Sequence, residues 1–262
     1  MRLRSASGAA ASAWLLANPG RKTTLGDLTF AMAGRHRLGL RAHAPVELPP
    51  CQCRGDNVGA PGHAMTCKDV RLSMQMRHDA ITDIMRHVHS CAGLCSSSEP
   101  PYRQLHKGGQ GHGPGFHRAD LLSILPGGRH VMVDVTVVHP LGVNMLGPAS
   151  HTDAAAAKRA EARKLQNWEE FADRPQYDFL PFALESYGRL GQRAVEYVRE
   201  LGEIAGASGR VSKSVFVMNA YKAISCTLQR WNCAMYAQSL TAVARATGKN
   251  FTPGFDAPVV DI

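Results

Sequence analysis

Four donors suited to a soft or borderline metal stand within 17 residues: Cys51, Cys53, His63 and Cys67. Thiolate and imidazole are the ligands zinc prefers, and a structural zinc takes four of them in a tetrahedron. The spacing is Cys-x-Cys, nine residues, His, three residues, Cys, and the loop from Gly55 to Gly62 is rich enough in glycine to fold back. The plainer reading is two loop thiols and a surface imidazole. Compact spacing in a stretch without core residues favours the metal. The one-residue gap between the first two cysteines is tighter than the usual two. A closed four-ligand site has no open position, so its zinc is structural rather than catalytic.

A second group is acidic. Asp120 stands at the start of a short apolar run, and Asp134 lies inside His130–His139 (HVMVDVTVVH). A carboxylate within such a β-branched run is costly unless paired or metal-bound. Two carboxylates meeting across neighbouring strands suit a hard cation such as Mg²⁺, which takes one or two of them plus water and phosphate oxygens. The ion would polarise a phosphate and lower the pKa of an attacking water. A lysine beside it could stabilise the developing charge. Lys158 and Lys164 follow on the next helical stretch; six residues is roughly 600° of helix, so only one should reach the acids. The alternatives are an ion pair of Asp134 with Arg118 or Arg129, and Asp120 as a loop cap.

The elements that must position these groups follow from periodicity. Ala9–Leu16 and Leu25–Arg37 read as short helices, and residues 47–68 as loop. Ile81, Ile84, Met85 and Val88 fall on one face of a helix over Val70–Cys91. One short strand and a long loop are expected between Gly93 and Gly115. Ala119–Leu125 and His130–His139 form a hairpin about Gly127-Gly128. Residues 152–172 are a helix with Thr152 or Asp153 as N-cap. Tyr177–Glu185 is a strand that Pro181 confines to an edge or a bulge. Gln192–Ala205 and Lys213–Ala246 are helical. This alternation implies an α/β fold, a mixed sheet flanked by helices.

Composition sets the outer bounds. The net charge is +9, with 30 Lys+Arg against 21 Asp+Glu, which favours a phosphate-bearing partner or simply solubility. Asp27 is the only acid among the first 46 residues, against seven Lys and Arg. That fits a mitochondrial-type presequence better than a secretory signal. No stretch approaches the ~18 apolar residues of a membrane span, and a soluble chain is expected. Seven cysteines, clustered and odd in number, favour metal over a disulfide framework.

From about Ala11 to Asn232 the chain resembles the C-terminal region of site-specific non-LTR retrotransposon reverse transcriptases, which end in a CCHC zinc knuckle and a restriction-like (PD-(D/E)XK) endonuclease. The Ala-Trp-Leu segment and Arg35–Leu40 look like the linker after the polymerase, and CQC…GHAMTC like the knuckle. Arg77-His78-Asp79-Ala80-Ile81 is similar to the family's Arg-His-Asn-x-Ile, and Glu99-Pro100 to its Glu-Pro. Arg118-Ala119-Asp120 stands at the PD position, with Ala119 for the proline. Val133–Val138 is close to the family's next strand. Lys164-Leu165-Gln166-Asn167-Trp168 stands at its Lys-x-x-Lys-Tyr, with Asn167 in place of the second lysine. Pro181–Glu185, with Gly188, is similar to the last core strand.

The resemblance implies a restriction-endonuclease-like sheet with a small N-terminal knuckle and a helical C-terminus. Its divisions are a helical linker at 1–46, the knuckle at 47–69, the nuclease core at 70–210, and a helical extension and tail at 211–262. It implies Mg²⁺-dependent nicking of DNA to prime reverse transcription, with Asp120, Asp134 and Lys164 catalytic. Glu99, Lys158, Arg77 and His78 are accessory. Cys51, Cys53, His63 and Cys67 hold zinc, while Asp120 and Asp134 hold magnesium. DNA is the partner, with RNA a further one, and a polymerase domain in cis or a related element protein assists. No membrane is involved, and the compartment is nuclear. No polymerase palm motif is present, and a Met start on a linker-like sequence reads as a fragment or decayed copy. The alternative is a catalytically inactive, zinc-containing nucleic-acid-binding module, which Asn167 favours.

Overall fold

The computed structural model describes residues 1–40, 53, 62–67, 71–98, 119–142, 145–171 and 177–247. Cys51, Glu99 and Arg118 lie outside them. The N-terminal segment forms α1 (Arg2–Ala6), α2 (Ala9–Ser12) with a 3-10 turn through Leu16, and α3 (Asp27–Leu38). A long α4 (Arg71–Cys91) leads into β1 (Ser96–Ser98), β2 (Leu121–Ile124) and β3 (His130–Val138). Then come α5 (Leu146–His151), α6 (Ala155–Phe171), β4 (Tyr177–Glu185), α7 (Gln192–Ala207) and α8 (Lys213–Thr247).

The four strands form one mixed sheet in chain order. β1, β2 and β3 are antiparallel neighbours, and β3 pairs parallel with β4. The β2–β3 hairpin turns where Gly127 and Gly128 adopt φ of 79° and 78°, a conformation that favours glycine. Parallel pairing of β3 and β4 needs a crossover, supplied by α5 and α6. Pro181 is tolerated because, among the described residues, β4 has a neighbouring strand on one side only and so edges the sheet.

Alternation along β3 assigns its two faces. Val131, Val133 and Val135 join Phe182 and Leu184 of β4 in the main core, against Ile81, Ile84, Met85 and Val88 of α4 and the apolar faces of α7 and α8. On the opposite face, Val138 and Ala183 meet Ala154, Ala157 and Ala160, small residues that let α6 lie close to the sheet. Farther along α6, Trp168 stacks on Phe179 at 4.5 Å beside Met132 and Leu122. Asp134 belongs by register to this α6 face.

The start of α6 departs from the sequence expectation. The first turn of α6 is not capped by Thr152 or Asp153; its Ala156 N–H donates to Glu185 Oε1 at 2.9 Å, from the end of β4. Asp153 instead pairs with Arg4 at 3.1 Å and Arg189 at 2.7 Å. The helix over Lys213–Thr247 packs on α4 and α7 through Phe216, Ile224 and Leu228.

Candidate functional site

Asp134 is 3% exposed, in the middle of β3. Its carboxylate is held by Lys164 Nζ from α6, at 2.8 Å from Oδ2 and 3.1 Å from Oδ1. Burial raises the pKa of Asp134 to about 6; Lys164 opposes that shift and the charge of Asp120 adds to it. Two contacts to an ammonium keep the carboxylate ionised at neutral pH. Arg129, weighed as its partner, lies at the sheet end and pairs with Asp178 and Glu200. Of the two lysines on α6 it is Lys164 that meets the acid. Lys158 lines an exposed cleft with Glu161 and Glu196.

Asp120 precedes β2, where its N–H donates to Val133 O at 2.9 Å. Its Oδ2 accepts the Val135 N–H at 2.6 Å and lies 3.2 Å from His78 Nε2. The carboxylate thus extends the β2–β3 ladder by one rung. His78, on α4, also places Nε2 3.1 Å from Val135 O and Nδ1 3.1 Å from Asp79 Oδ1. The hydrogen bond to Asp120 pushes the His78 pKa up to about 9, against the opposing effect of burial. The imidazolium is therefore a second fixed cation. Asp134 and Asp120 are each met by a cation, one from α6 and one from α4, which lie on opposite faces of the sheet. Asp120 Oδ1 makes no hydrogen bond among the described residues.

Three of the four residues expected to hold zinc also come together. Cys53, His63 and Cys67 place their ligand atoms within 4.8 Å of one another, with Cys53 Sγ 3.7 Å from His63 Nε2. His63 and Cys67 flank a 3-10 turn, and Cys67 N–H donates to His63 O at 2.9 Å. Gly62 enters this turn at φ 97°, and a Cβ there would lie 2.6 Å from His139 Nε2. A side chain at this position would collide with that imidazole unless one of the two moved. Two thiols and an imidazole in one small, largely buried space could hold a metal ion; Cys51, the expected fourth donor, lies outside the described residues.

No family model and no curated protein matches the chain.

Other polar groups are tied into the frame. His89 is fully buried, with Nδ1 2.7 Å from Ser123 Oγ and Nε2 3.0 Å from Tyr197 OH. Burial lowers its pKa to about 4, so it is a neutral core histidine. Glu161 on α6 accepts the Arg193 N–H at 3.1 Å and thereby caps α7. A side chain at Gly191 would collide with that carboxylate. Arg77 is buried between α4, α8 and the turn that holds Met65, with Nη1 2.9 Å from Asn232 Oδ1 and 3.3 Å from Met65 Sδ. Sequence reasoning missed Glu161, Glu185 and His89, whose partners are remote in the chain. No helix among the described residues is long and apolar enough to cross a membrane.

Proposed function

We propose that this chain is a metal-dependent DNA endonuclease module of the non-LTR retrotransposon type, with a structural zinc at its N-terminal side. The observation that carries the reading is the buried Asp134–Lys164 pair, set on a strand beside Asp120. A fold does not need an ionised pair at that point; a hydrophobic pair of similar volume is commonly as stable or more so. Buried charges with displaced pKa values cluster at functional sites, which supports this reading.

In this reading Asp120 and Asp134 would hold Mg²⁺, which when bound supplies a Lewis acid for the scissile phosphate. The Oδ1 of Asp120, which makes no hydrogen bond among the described residues, suits that role. Lys164 holds Asp134 ionised and presents its ammonium where phosphate charge develops. His78 and the Val135 N–H fix the orientation of Asp120. Cys53, His63 and Cys67, with Cys51 as the fourth donor, would hold zinc and stabilise the N-terminal side. The net charge of +9 supports a DNA partner, with RNA a further one and a nuclear setting following from the resemblance. The test is conversion of supercoiled plasmid to the open circle in Mg²⁺, abolished by a chelator and restored by Mg²⁺.

The second reading is a nucleic-acid-binding module that no longer cuts. One observation favours it: each carboxylate already has a cationic partner, Lys164 for Asp134 and His78 for Asp120. Asn167, where the resemblance implies a second lysine, points the same way. Plasmid binding without nicking at any Mg²⁺ concentration would select it.

A further inference from the structure

Three side chains buried in one cluster each leave a polar atom without a partner. Arg77 is 4% exposed, His36 2% and Tyr187 2%; the Arg77 Nε–H, the His36 Nε2 and the Tyr187 OH make no hydrogen bond. The His36 ring stacks on Tyr187 at 4.4 Å between centroids and meets Tyr236 edge-on at 5.3 Å, and His139 lies 5.8 Å from Tyr187. Arg2 reaches the same cluster from α1, within range to act on both His36 and Tyr187. Its guanidinium lies over Gly39 at the end of α3, and its buried Nε also lacks a partner. No carboxylate pairs with Arg2 or Arg77 among the described residues. Burial keeps His36 neutral, and the charges of His139, Arg77 and Arg2 act in the same direction.

We propose that Arg2, His36, Arg77 and Tyr187 form a binding site for a small monovalent inorganic anion such as chloride. An arginine Nε–H can only donate, while the imidazole as its Nε2–H tautomer and the phenol hydroxyl can donate beside it. A buried water would accept these hydrogen bonds but leave both guanidiniums without an opposing charge, which is costly at such depth. An anion meets both needs. Single charge is favoured because the cost of stripping water from an ion rises with the square of its charge. The bound ion would tie α1 and α3 to α4 and to the turn that follows β4. The site involves neither the zinc ligands nor Asp134, so the inference stands apart from the function proposed above.

The test is thermal unfolding of the full chain as chloride replaces gluconate, an anion too large to enter, at constant ionic strength and pH. Wild type should show a saturable rise in Tm, on the order of 3–10 °C at about 10–100 times the chloride Kd. Arg2→Gln, a change at a half-buried position, should weaken chloride binding at least about 10-fold. His36→Phe keeps the ring contacts, removes Nε2 and should weaken binding as well. A wild-type Tm indifferent to chloride overturns the inference and leaves water as the partner of these donors. The same chloride response in wild type and Arg2→Gln also overturns it, because the effect is then one of salt in general. Should unfolding be irreversible, the chloride NMR linewidth decides. Wild type should broaden it, bromide should reverse the broadening, and Arg2→Gln should lose it; equal broadening by both proteins overturns the inference.

Discussion

Lys164 grips the buried carboxylate of Asp134 by both oxygens, at 2.8 Å and 3.1 Å, from the helix that crosses between β3 and β4. The pair puts function and stability in the same contact. Lys164→Met leaves the buried Asp134 carboxyl without its cation, so that it must stay charged unpaired or take up a proton, and should destabilise the fold by about 3–5 kcal/mol. Adding Asp134→Leu should recover most of that loss, since neither charge then remains. Urea unfolding of the two single variants and the double variant measures it. Additive losses would show that the pair is not coupled.

Stability should peak near neutral pH. Burial holds His36 near 3 and His89 and His139 near 4, all below the ordinary 6.5. Unfolded chains take up these protons first, so stability falls as pH drops from about 6.5 toward 4. His78 has the opposite sign. Its pKa is raised to about 9, so its contribution is complete below about 6.5 and is lost as pH rises through 9. That contribution is on the order of 1–3 kcal/mol. His78→Gln should flatten the alkaline limb of a Tm-versus-pH profile and leave the acid limb unchanged.

The knuckle should bind about one Zn²⁺ per chain. Cys67→Ser or His63→Ala should abolish binding, because a three-ligand remnant holds structural zinc poorly. Cys91 and Cys95 are exposed, and Cys226 and Cys233 share a buried apolar cluster with Cys67 but lie outside the ligand group; serine at the exposed pair should leave zinc content unchanged. Metal analysis of protein purified without chelators reads all of these.

Gly191→Ala should destabilise the fold by about 1–3 kcal/mol, as the new methyl group drives Glu161 off the first turn of α7. Glu161→Gln, which can still accept the Arg193 N–H, should lose less. Thermal unfolding of the two variants ranks them, and a neutral Gly191→Ala would count against the cap.

Much of the frame was legible because its signals are local. The apolar stripe of α4, the glycine turn between β2 and β3, and Pro181 on β4 each announce their element within a few residues. A charge at Asp134 was conspicuous against its valine neighbours, and helix geometry limited its lysine partner to one of two. The remainder depends on contacts between distant segments. Nothing near His78 in sequence says that it meets Asp120, 42 residues away. Glu185 caps α6 only because β4 ends beside the start of that helix, which displaced the expected Thr152 or Asp153. The burial of Arg77 depends on α8, a helix that sequence assigned to an extension.

The central claim is that Asp134 belongs to a cutting site rather than to a structural ion pair. Nicking of supercoiled plasmid in Mg²⁺ tests it most directly, with wild type and Asp134→Asn at protein concentrations that give equal DNA binding. Asparagine keeps the shape and removes the charge, so the account predicts Mg²⁺-dependent open circles from wild type and a rate at least about 100-fold lower from the variant. Equal nicking by the two proteins, or plasmid bound by the wild type and left intact at every Mg²⁺ concentration, would contradict it.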